Sequence, residues 1–341
     1  MNLRTILPAA VLASSFAFAV GCAAPSTEAD RSDEASVVKG APVVHTVTSD
    51  ANGFDTHSFW IDTGAEVVVF DAQFTPAFAQ KVADDIKAKT QHPITWVVVT
   101  HPNPDKFQGA PVFQALGARV IASKATADAM PGVWTYKKGY FTNVAKSFTA
   151  ETYPALPKVD QTFEGSYVLP LRGGLRIELR ELSKPGVSST QTVAYVPDAR
   201  ALFVGDLVHE KAHAWLEGGI VDGAPKPTLE GWKDDLDEIA AAYPGDTIVF
   251  GGRGLAAPLE AAVANEKTYL DGMKALVTKE LAAHDHPVET LAGPNAGALY
   301  TKIQNDAASA FPSYALPYMI GYGVYGLAQQ IAADLEKGEE R

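Results

Sequence analysis

Short apolar runs alternate with amphipathic stretches along most of the chain. Residues 66–71 and 94–99 are runs of strand formers, and each predicts a buried strand. Between them, the sequence predicts a helix that begins after Thr75, a suitable N-cap, and ends near Lys89. Its apolar side chains recur at the four-residue spacing of one helix face: Phe78, Val82 and Ile86. This order of strand, helix and strand favours a layered α/β fold.

A second strand-rich region follows a stretch of weak periodicity. Residues 131–165 predict a less regular excursion over a site. Beyond it, four runs rich in strand formers are separated by turn residues: 167–169, 175–182, 192–196 and 201–206. Residues 228–242 predict a helix capped by Thr228, and residues 247–254 predict a strand that ends in a glycine-rich loop. From about Pro258 onward the pattern is mostly helical.

Composition narrows the class of protein and its partners. The chain has 341 residues, of which 47% are hydrophobic and 20% are charged. These values are typical of a globular protein that forms one large domain or two small ones. The formal net charge of -12 argues against nucleic acid or an anionic membrane surface as the main partner.

The first 21 residues have the pattern of a bacterial lipoprotein signal peptide. A short positive start precedes an apolar run over residues 6–20, which is too short to span a bilayer as a stable helix. The run ends in Ala19-Val20-Gly21-Cys22, which resembles the lipobox of bacterial lipoproteins. We therefore expect Cys22 to become the lipidated N-terminus and to anchor the protein to a lipid bilayer. An ordinary secretory signal with an unrelated cysteine is the alternative.

The residues after the signal peptide support this expectation. Cys22 is the only cysteine, so disulfides and cysteine-based metal sites are excluded. Residues 22–36 are acidic and rich in small side chains, which predicts a disordered tether. Ala23, rather than aspartate, follows the cysteine, a pattern that resembles sorting to the outer membrane of Gram-negative bacteria. The expected location is thus the bacterial cell envelope, with the protein lipid-anchored at the periplasmic face of the outer membrane.

The loop after the predicted strand 94–99 carries the most specific pattern. Residues 100–109 read THPNPDKFQG and resemble the Thr-His-x-His-x-Asp-His-x-x-Gly signature of the metallo-β-lactamase superfamily. Residues 202–208 and 249–254 resemble two further segments of that family, the second being its Pro-Gly-His-Gly loop. The resemblance covers roughly residues 40–255 and implies an αββα sandwich, which is an α/β fold.

The lipobox pattern, the composition and the family resemblance together divide the chain into parts. We assign residues 1–21 to a lipoprotein signal peptide and residues 22–36 to the tether. Residues 37–255 form the metallo-β-lactamase-like domain in this division, and residues 256–341 form a helical C-terminal extension packed on it.

In that family, a dinuclear zinc centre takes its ligands from these segments. The resemblance implies that His101, Asp105 and Asp206 stand at ligand positions of this chain. Three histidine positions of the family read differently here: Asn103, Lys106 and Arg253. A fourth histidine, which the family places between its two halves, is missing because none occurs between positions 101 and 209. We therefore expect no metal of the usual dinuclear kind.

Two of the replacements are cations. Two carboxylates that face each other in a dry site, here Asp105 and Asp206, are costly unless they are neutralised. The sequence predicts that Lys106 and Arg253 neutralise them in a metal-free network of ion pairs. Neutral drift of an inactive site is one alternative. A single zinc ion held by a rebuilt set is another: His101, Asp206 and His209 or His213.

Residues 209–213 match the His-Glu-x-x-His motif of zincin metalloproteases. The zincin chemistry needs both histidines on one helix face, whereas the resembled fold has a loop here, and no third ligand occurs at a zincin spacing. We expect His209 and His213 to line the pocket beyond Asp206 instead. With Asn103 and Arg253, they are the predicted substrate-binding residues.

A metal-free site still has groups for catalysis. His101 is a candidate general base, and Lys106 or Arg253 is a candidate for stabilising an oxyanion. Asp206 is expected to orient His101. The predicted catalytic set is His101, Asp105, Lys106 and Asp206. The alternative is that His101 only forms a hydrogen bond at a strand end.

Two functions stay open at this stage. The retained ligand residues favour a divergent hydrolase of a small ester, lactone or amide, whereas the replaced histidines favour a non-catalytic ligand-binding or scaffold lipoprotein. In both cases the partner is a small molecule. An aromatic stripe near the C-terminus is typical of core packing, with pocket lining as the alternative: Phe311, Tyr314, Tyr318, Tyr322 and Tyr325.

Overall fold

The computed structural model describes residues 42–339. The predicted signal peptide, the predicted lipidation at Cys22 and the predicted tether lie outside the described residues. The strands are β1 (His45–Thr48), β2 (His57–Asp62), β3 (Val67–Phe70), β4 (Ile94–Val98), β5 (Arg119–Ser123), β6 (Gln161–Phe163), β7 (Ser166–Val168), β8 (Glu178–Glu181), β9 (Thr192–Val196), β10 (Ala201–Gly205), β11 (Gly219–Val221), β12 (Ala224–Lys226), β13 (Ile248–Gly251) and β14 (Ala257–Pro258). The helices are α1 (Pro76–Lys89), α2 (Pro104–Phe107), α3 (Ala110–Ala115), α4 (Lys124–Gly139), α5 (Leu229–Ala242), α6 (Leu259–Leu281), α7 (Pro287–Ala292), α8 (Ala296–Ala310) and α9 (Tyr318–Glu339).

Twelve of the strands form two six-stranded sheets. The first has the order β1-β2-β3-β4-β5-β6, and the second has the order β14-β13-β10-β9-β8-β7. Strands β3, β4, β5 and β6 run parallel to one another, and β10 runs parallel to β13. Strands β11 and β12 form a separate antiparallel pair. Strands β4, β10 and β13, which lead into the residues of interest, therefore belong to parallel pairs.

The alternation of side chains along the central strands explains the layers. In β3, Val68 and Phe70 lie in the core between the two sheets, whereas Val67 and Val69 lie in the core under helices α1, α3 and α4. Phe70 stacks on Phe203 of the second sheet, with ring centroids 4.0 Å apart. The first sheet is thus buried on both faces, which matches its continuous apolar strands.

The second sheet is covered in the same way. Leu202 and Val204 of β10 share a core with Trp232 of α5, Leu270 of α6 and Ile320 of α9. The layers are helix, sheet, sheet and helix, so the predicted αββα sandwich with a C-terminal helical region is confirmed. Within the described part of the chain, no helix has the length and apolar character needed to cross a membrane.

The predicted helix 75–89 is confirmed, with Thr75 at its N-cap and its side chain accepting from the backbone of Phe78. The prediction for residues 131–165 is partly wrong, because α4 continues through Pro131 to Gly139 and is followed by a π-helical turn. The buried side chains of α4 do follow a helical stripe: Thr126, Met130, Val133 and Lys137. Because the first residue of this stripe is a threonine and the last is a lysine, a search for apolar residues at helical spacing does not predict this helix.

Candidate functional site

Three strand ends bring the predicted charged residues together. Asp105 and Lys106 lie in α2, just after β4, while Asp206 directly follows β10 and Arg253 lies just beyond β13. Ligand sites of α/β sheets commonly lie outside the carboxyl ends of strands, where loops meet. The sandwich places these four residues, which come from three segments distant in sequence, at one such edge.

The four side chains form a closed set of ion pairs, called here the floor network. Lys106 Nζ lies 2.8 Å from Asp105 Oδ2 and 2.6 Å from Asp206 Oδ1. Arg253 Nη2 lies 2.9 Å from Asp105 Oδ2, and Arg253 Nη1 lies 2.6 Å from Asp206 Oδ2. Each cation thus bridges both carboxylates, and the four formal charges sum to zero.

Burial and ion pairing shift the pKa values of these four groups in opposite directions. Burial alone would raise the pKa of Asp206, but Arg253 and Lys106 hold that pKa well below its usual range. Burial would lower the pKa of Lys106, but Asp105 and Asp206 raise it. All four groups are therefore charged at neutral pH, in a place where their exposed fractions are below 10%.

The glycine-rich loop after β13 allows the close approach of these charges. A Cβ atom on Gly252 would lie 1.9 Å from Asp206 Oδ1 and 2.9 Å from Lys106 Nζ. Any side chain at this position would therefore displace the floor network. Gly205, at the end of β10, has a φ of 51°, and a Cβ there would meet Thr100 Oγ1 at 2.3 Å.

The donor set does not fit the dinuclear zinc centre that the sequence resemblance implies. Lysine and arginine side chains carry no lone pair for a metal at neutral pH. Here, Lys106 and Arg253 also occupy the oxygens of Asp105 and Asp206 as hydrogen-bond donors. Across residues 42–339, no group of three or more His, Cys, Asp and Glu side chains is arranged to hold a metal ion.

His101 lies beside the floor network but is fully enclosed. Its Nδ1 lies 3.0 Å from Thr100 Oγ1, and its Nε2 has no hydrogen-bond partner. Nε2 is 3.7 Å from Asp206 Oδ2, which is beyond hydrogen-bond distance, so the expected direct orientation of His101 by Asp206 is not present. Burial lowers the pKa of His101 to about 4, and the imidazole is neutral at pH 7.

The segment that contains His209 and His213 is a loop rather than a helix, as expected, and Lys211 within it has a φ of 56°. The zincin arrangement is therefore absent from this segment. His209 Nε2 lies 4.0 Å from Asp206 Oδ1, and its Nδ1 lies 3.8 Å from Glu266 Oε1. His213 Nδ1 is 3.1 Å from the hydroxyl of Tyr269.

A cavity opens to solvent directly above the floor network, and the space between its lining atoms, counted together with the solvent at its mouth, is about 330 Å³. Its lining combines aromatic and charged side chains: Phe54, Phe74, Asn103, Pro104, Asp105, Lys137, Phe141, Asp206, Trp215 and Arg253. Four of the predicted residues are therefore at the cavity: Asn103, Asp105, Asp206 and Arg253. His209 and His213 were expected to line the pocket, but neither is among its lining residues, and both are fully buried.

Sequence reasoning missed a second buried ion pair at the cavity, called here the wall pair. Lys137 of α4 contacts the carboxylate of Glu217, and its Nζ lies 4.4 Å from the centroid of the Trp215 indole. Trp215 Nε1 donates to Glu217 at 2.9 Å, and the Tyr325 hydroxyl donates to the same carboxylate. The only sequence signal was the helical spacing of Lys137 from Met130 and Val133.

The C-terminal aromatic stripe lies behind the cavity wall. Tyr322 stacks on Trp215 with centroids 5.7 Å apart, and it meets Phe54 edge-on at 5.5 Å. The Tyr318 hydroxyl donates to the carboxylate of Asp55. Helix α9 thus supports the wall from outside and contributes no lining residue to the cavity.

Comparison with known proteins gives a consistent result for the fold. The family model of the metallo-beta-lactamase superfamily matches residues 51–253. Comparison with curated proteins gives no match. A metallo-beta-lactamase from Pontibacter korlensis has a TM-score of 0.50 at 20% identity, covering 69% of this chain and 97% of its own. One from Hirschia baltica has a TM-score of 0.46 at 19% identity, covering 67% and 91%. At 20% identity, the likeness to the Pontibacter korlensis protein concerns the fold alone.

Proposed function

Since this chain belongs to the metallo-β-lactamase superfamily, we propose that it is a divergent hydrolase-like member that takes a small ester, lactone or amide into the cavity. In this proposal the floor network replaces the dinuclear zinc centre. One observation carries it: Lys106 and Arg253 bridge the carboxylates of Asp105 and Asp206 at 2.6–2.9 Å. A metal ion at this place would have to displace both cations.

The proposed chemistry uses groups at the cavity floor. Arg253 lines the cavity, and its positive charge would stabilise negative charge that develops on a carbonyl oxygen. His101 is neutral at pH 7 and its Nε2 has no partner, which suits a general base that takes a proton from water.

Binding without turnover is a second candidate function, and one observation favours it. His101 has no exposed surface and does not line the cavity, so a substrate held there does not touch it. Asp105 and Asp206 are already paired with cations. In this case the protein is a ligand-binding or scaffold lipoprotein of the same fold.

Turnover by the purified full-length protein in the presence of EDTA separates the two candidates. We expect hydrolysis of a panel such as 4-nitrophenyl acetate, γ-butyrolactone and acetanilide, and a zinc content well below one equivalent by ICP-MS. His101→Gln should lower turnover by about 100-fold, the usual contribution of a general base. His92→Gln is the matched control, because His92 is an exposed histidine whose ring contacts Asp62 and Thr90 at the surface.

The possible outcomes are distinct. Stoichiometric zinc contradicts the replacement of the metal centre by the floor network. Equal turnover in His101→Gln and the parent protein contradicts the role of His101. No turnover of any member of the panel, together with binding in the cavity, supports the second candidate.

We also propose that lipid on Cys22 anchors the protein in the bacterial cell envelope, at the periplasmic face of the outer membrane. The lipobox-like residues 19–22 support this. Cys22→Ala should move the protein from the detergent phase to the aqueous phase in Triton X-114 partitioning. Ala23→Asp should keep the lipid but shift the protein to the inner-membrane fraction. A Cys22→Ala protein that stays in the detergent phase contradicts the proposal.

A further inference from the structure

Four aromatic rings form one continuous wall of the cavity. The centroid of Phe54 lies 5.2 Å from that of Phe74, 5.7 Å from that of Phe141 and 5.7 Å from that of Trp215. Each of the four rings is less than 10% exposed, and all four line the cavity. Rings that touch at these distances present a shaped surface to a second π-system.

The wall is held in place before any ligand binds. Phe54 ends a 3₁₀ turn with a φ of 63°, a conformation that costs a non-glycine residue on the order of 1 kcal/mol. Its carbonyl oxygen accepts a hydrogen bond from Arg253 Nε at 2.7 Å. The floor network therefore also fixes the backbone that carries the central ring of the wall.

The charges around the cavity are balanced before any ligand enters. Asp105 and Asp206 line the cavity together with Arg253, and Lys106 completes their pairing. Lys137 also lines it and is paired with Glu217. An ionic ligand would add an uncompensated charge among side chains that are less than 10% exposed, which is unfavourable.

One polar side chain of the lining is outside these ion pairs. Asn103 precedes α2 at the N-cap position, but its side chain makes no capping hydrogen bond. Its amide offers two donors and one acceptor to the cavity. Asn103 is therefore the group that can form a hydrogen bond with a ligand without breaking an ion pair.

From these observations we infer that the cavity takes a neutral, planar aromatic molecule that carries one carbonyl group. The ring lies against the wall of Phe54, Phe141 and Trp215, and the carbonyl accepts from the amide of Asn103. This inference rests on the proposed function, since it assigns a substrate class to the same cavity. It favours aromatic esters and amides over their aliphatic and ionic counterparts.

Four small probes of similar size test each part of the inference. Benzamide is neutral and aromatic, benzoate is an anion, benzylammonium is a cation, and cyclohexanecarboxamide is neutral but not aromatic. Their affinities for the full-length protein are measured by ligand-observed NMR titration. Benzamide should bind at least about tenfold more tightly than each of the other three, a difference of about 1.4 kcal/mol.

Two variants connect the binding to the cavity. Asn103→Ala should weaken benzamide binding by about three- to tenfold, the range for one hydrogen bond, without changing the order of the other probes. Asn305→Ala is the matched control, because Asn305 is an exposed residue of α8. Equal affinity in Asn103→Ala and the parent protein overturns the assigned carbonyl contact.

The remaining outcomes separate this inference from the proposed function. If benzoate, benzylammonium or cyclohexanecarboxamide binds as tightly as benzamide, the inferred ligand class is wrong, but a small molecule still enters the cavity and the proposed function stands. If none of the four probes binds, the inference is overturned. The hydrolysis panel then decides the proposed function independently.

Discussion

The floor network and the wall pair are two buried sets of charges at one cavity, and they are built differently. The floor network has two cations that each bridge two carboxylates, so every charge has two opposite neighbours. The wall pair has one lysine and one glutamate, and neutral groups complete it: the Trp215 indole and the Tyr325 hydroxyl.

This difference separates two ways of neutralising buried charge. In the floor network, loss of one cation leaves two buried carboxylates that share a single cationic partner. The free-energy cost of the unpaired buried charge then affects both carboxylates. In the wall pair, the neutral donors remain after the lysine is removed and still satisfy part of the carboxylate. We therefore expect the floor network to be more sensitive to substitution than the wall pair.

The largest expected effect comes from breaking the floor network. Arg253→Ala should lower the free energy of unfolding by about 3–5 kcal/mol, because a buried carboxylate loses its partner. The measurement is urea denaturation followed by circular dichroism. Arg200→Ala removes an exposed ion pair with Asp246 and should cost less than about 1 kcal/mol. Similar losses in both variants would mean that water solvates the floor network.

Asp71 is a buried carboxyl group near the floor network, and its hydrogen bonds come from Thr100 and not from a cation. Asp71 accepts from the Thr100 backbone and hydroxyl, and burial raises its pKa to about 7. Because this folded pKa exceeds the unfolded one, the proton on Asp71 stabilises the native state below about pH 4. That contribution is lost as the pH rises through 7.

Asp71→Asn should remove this pH dependence. At each pH, the free energy of unfolding of the variant is subtracted from that of the parent protein. This difference should fall by about 3–4 kcal/mol between pH 4 and pH 8. Urea titrations at several pH values measure it, with the exposed Asp84→Asn as control. A difference that stays constant with pH would show that Asp71 is ionised in the native state throughout.

Breaking the wall pair should have a smaller effect. Lys137→Met and Glu217→Gln should each lower the free energy of unfolding by about 2 kcal/mol, as for a hydrogen bond to a charged group. Their double variant should cost less than the sum, since the two residues interact. Lys124→Met breaks an exposed pair with Asp128 in the same helix and serves as control. If the losses in the free energy of unfolding are additive in the double variant, Lys137 and Glu217 do not interact.

The smallest effect tests the neutral donors of the wall pair. Tyr325→Phe removes the hydroxyl that donates to Glu217 and should lower the free energy of unfolding by about 1 kcal/mol. Tyr322→Phe, in the same helix, keeps the ring that stacks on Trp215 and should cost less. Thermal denaturation of both variants compares them. If Tyr322→Phe lowers the free energy of unfolding more than Tyr325→Phe does, the hydroxyl of Tyr322 contributes more to stability than the hydrogen bond to Glu217.

Much of the fold and part of the site were predictable because local patterns carry them. The apolar runs of β3, β4 and β10 mark strands that are buried on both faces, and such runs are recognisable in one sequence. Asp105, Lys106, Asp206 and Arg253 follow the ends of strands, and the family resemblance together with their charges indicated a balanced set. The structure brings all four within contact distance.

Other features of the site depended on contacts between distant positions. Lys137 and Glu217 are 80 positions apart, and Phe54 and Arg253 are 199 positions apart. Neither pair belongs to a motif, and Lys137 occupies a place in a helical stripe that an apolar residue usually fills. The burial that makes His101 neutral, and that encloses His209 and His213, also arises only when both sheets and the C-terminal helices pack together.

By itself, the sequence determined most of the order of strands and helices and a layered α/β class, because these follow from residue type and local periodicity. Its resemblance to the metallo-β-lactamase superfamily added the αββα class and the group of charges expected at the strand ends. Only the tertiary structure decided which residues line the cavity, which charges pair and which histidines are enclosed. The physical reason is that burial and pairing depend on distances between segments, and those distances are set when the layers pack.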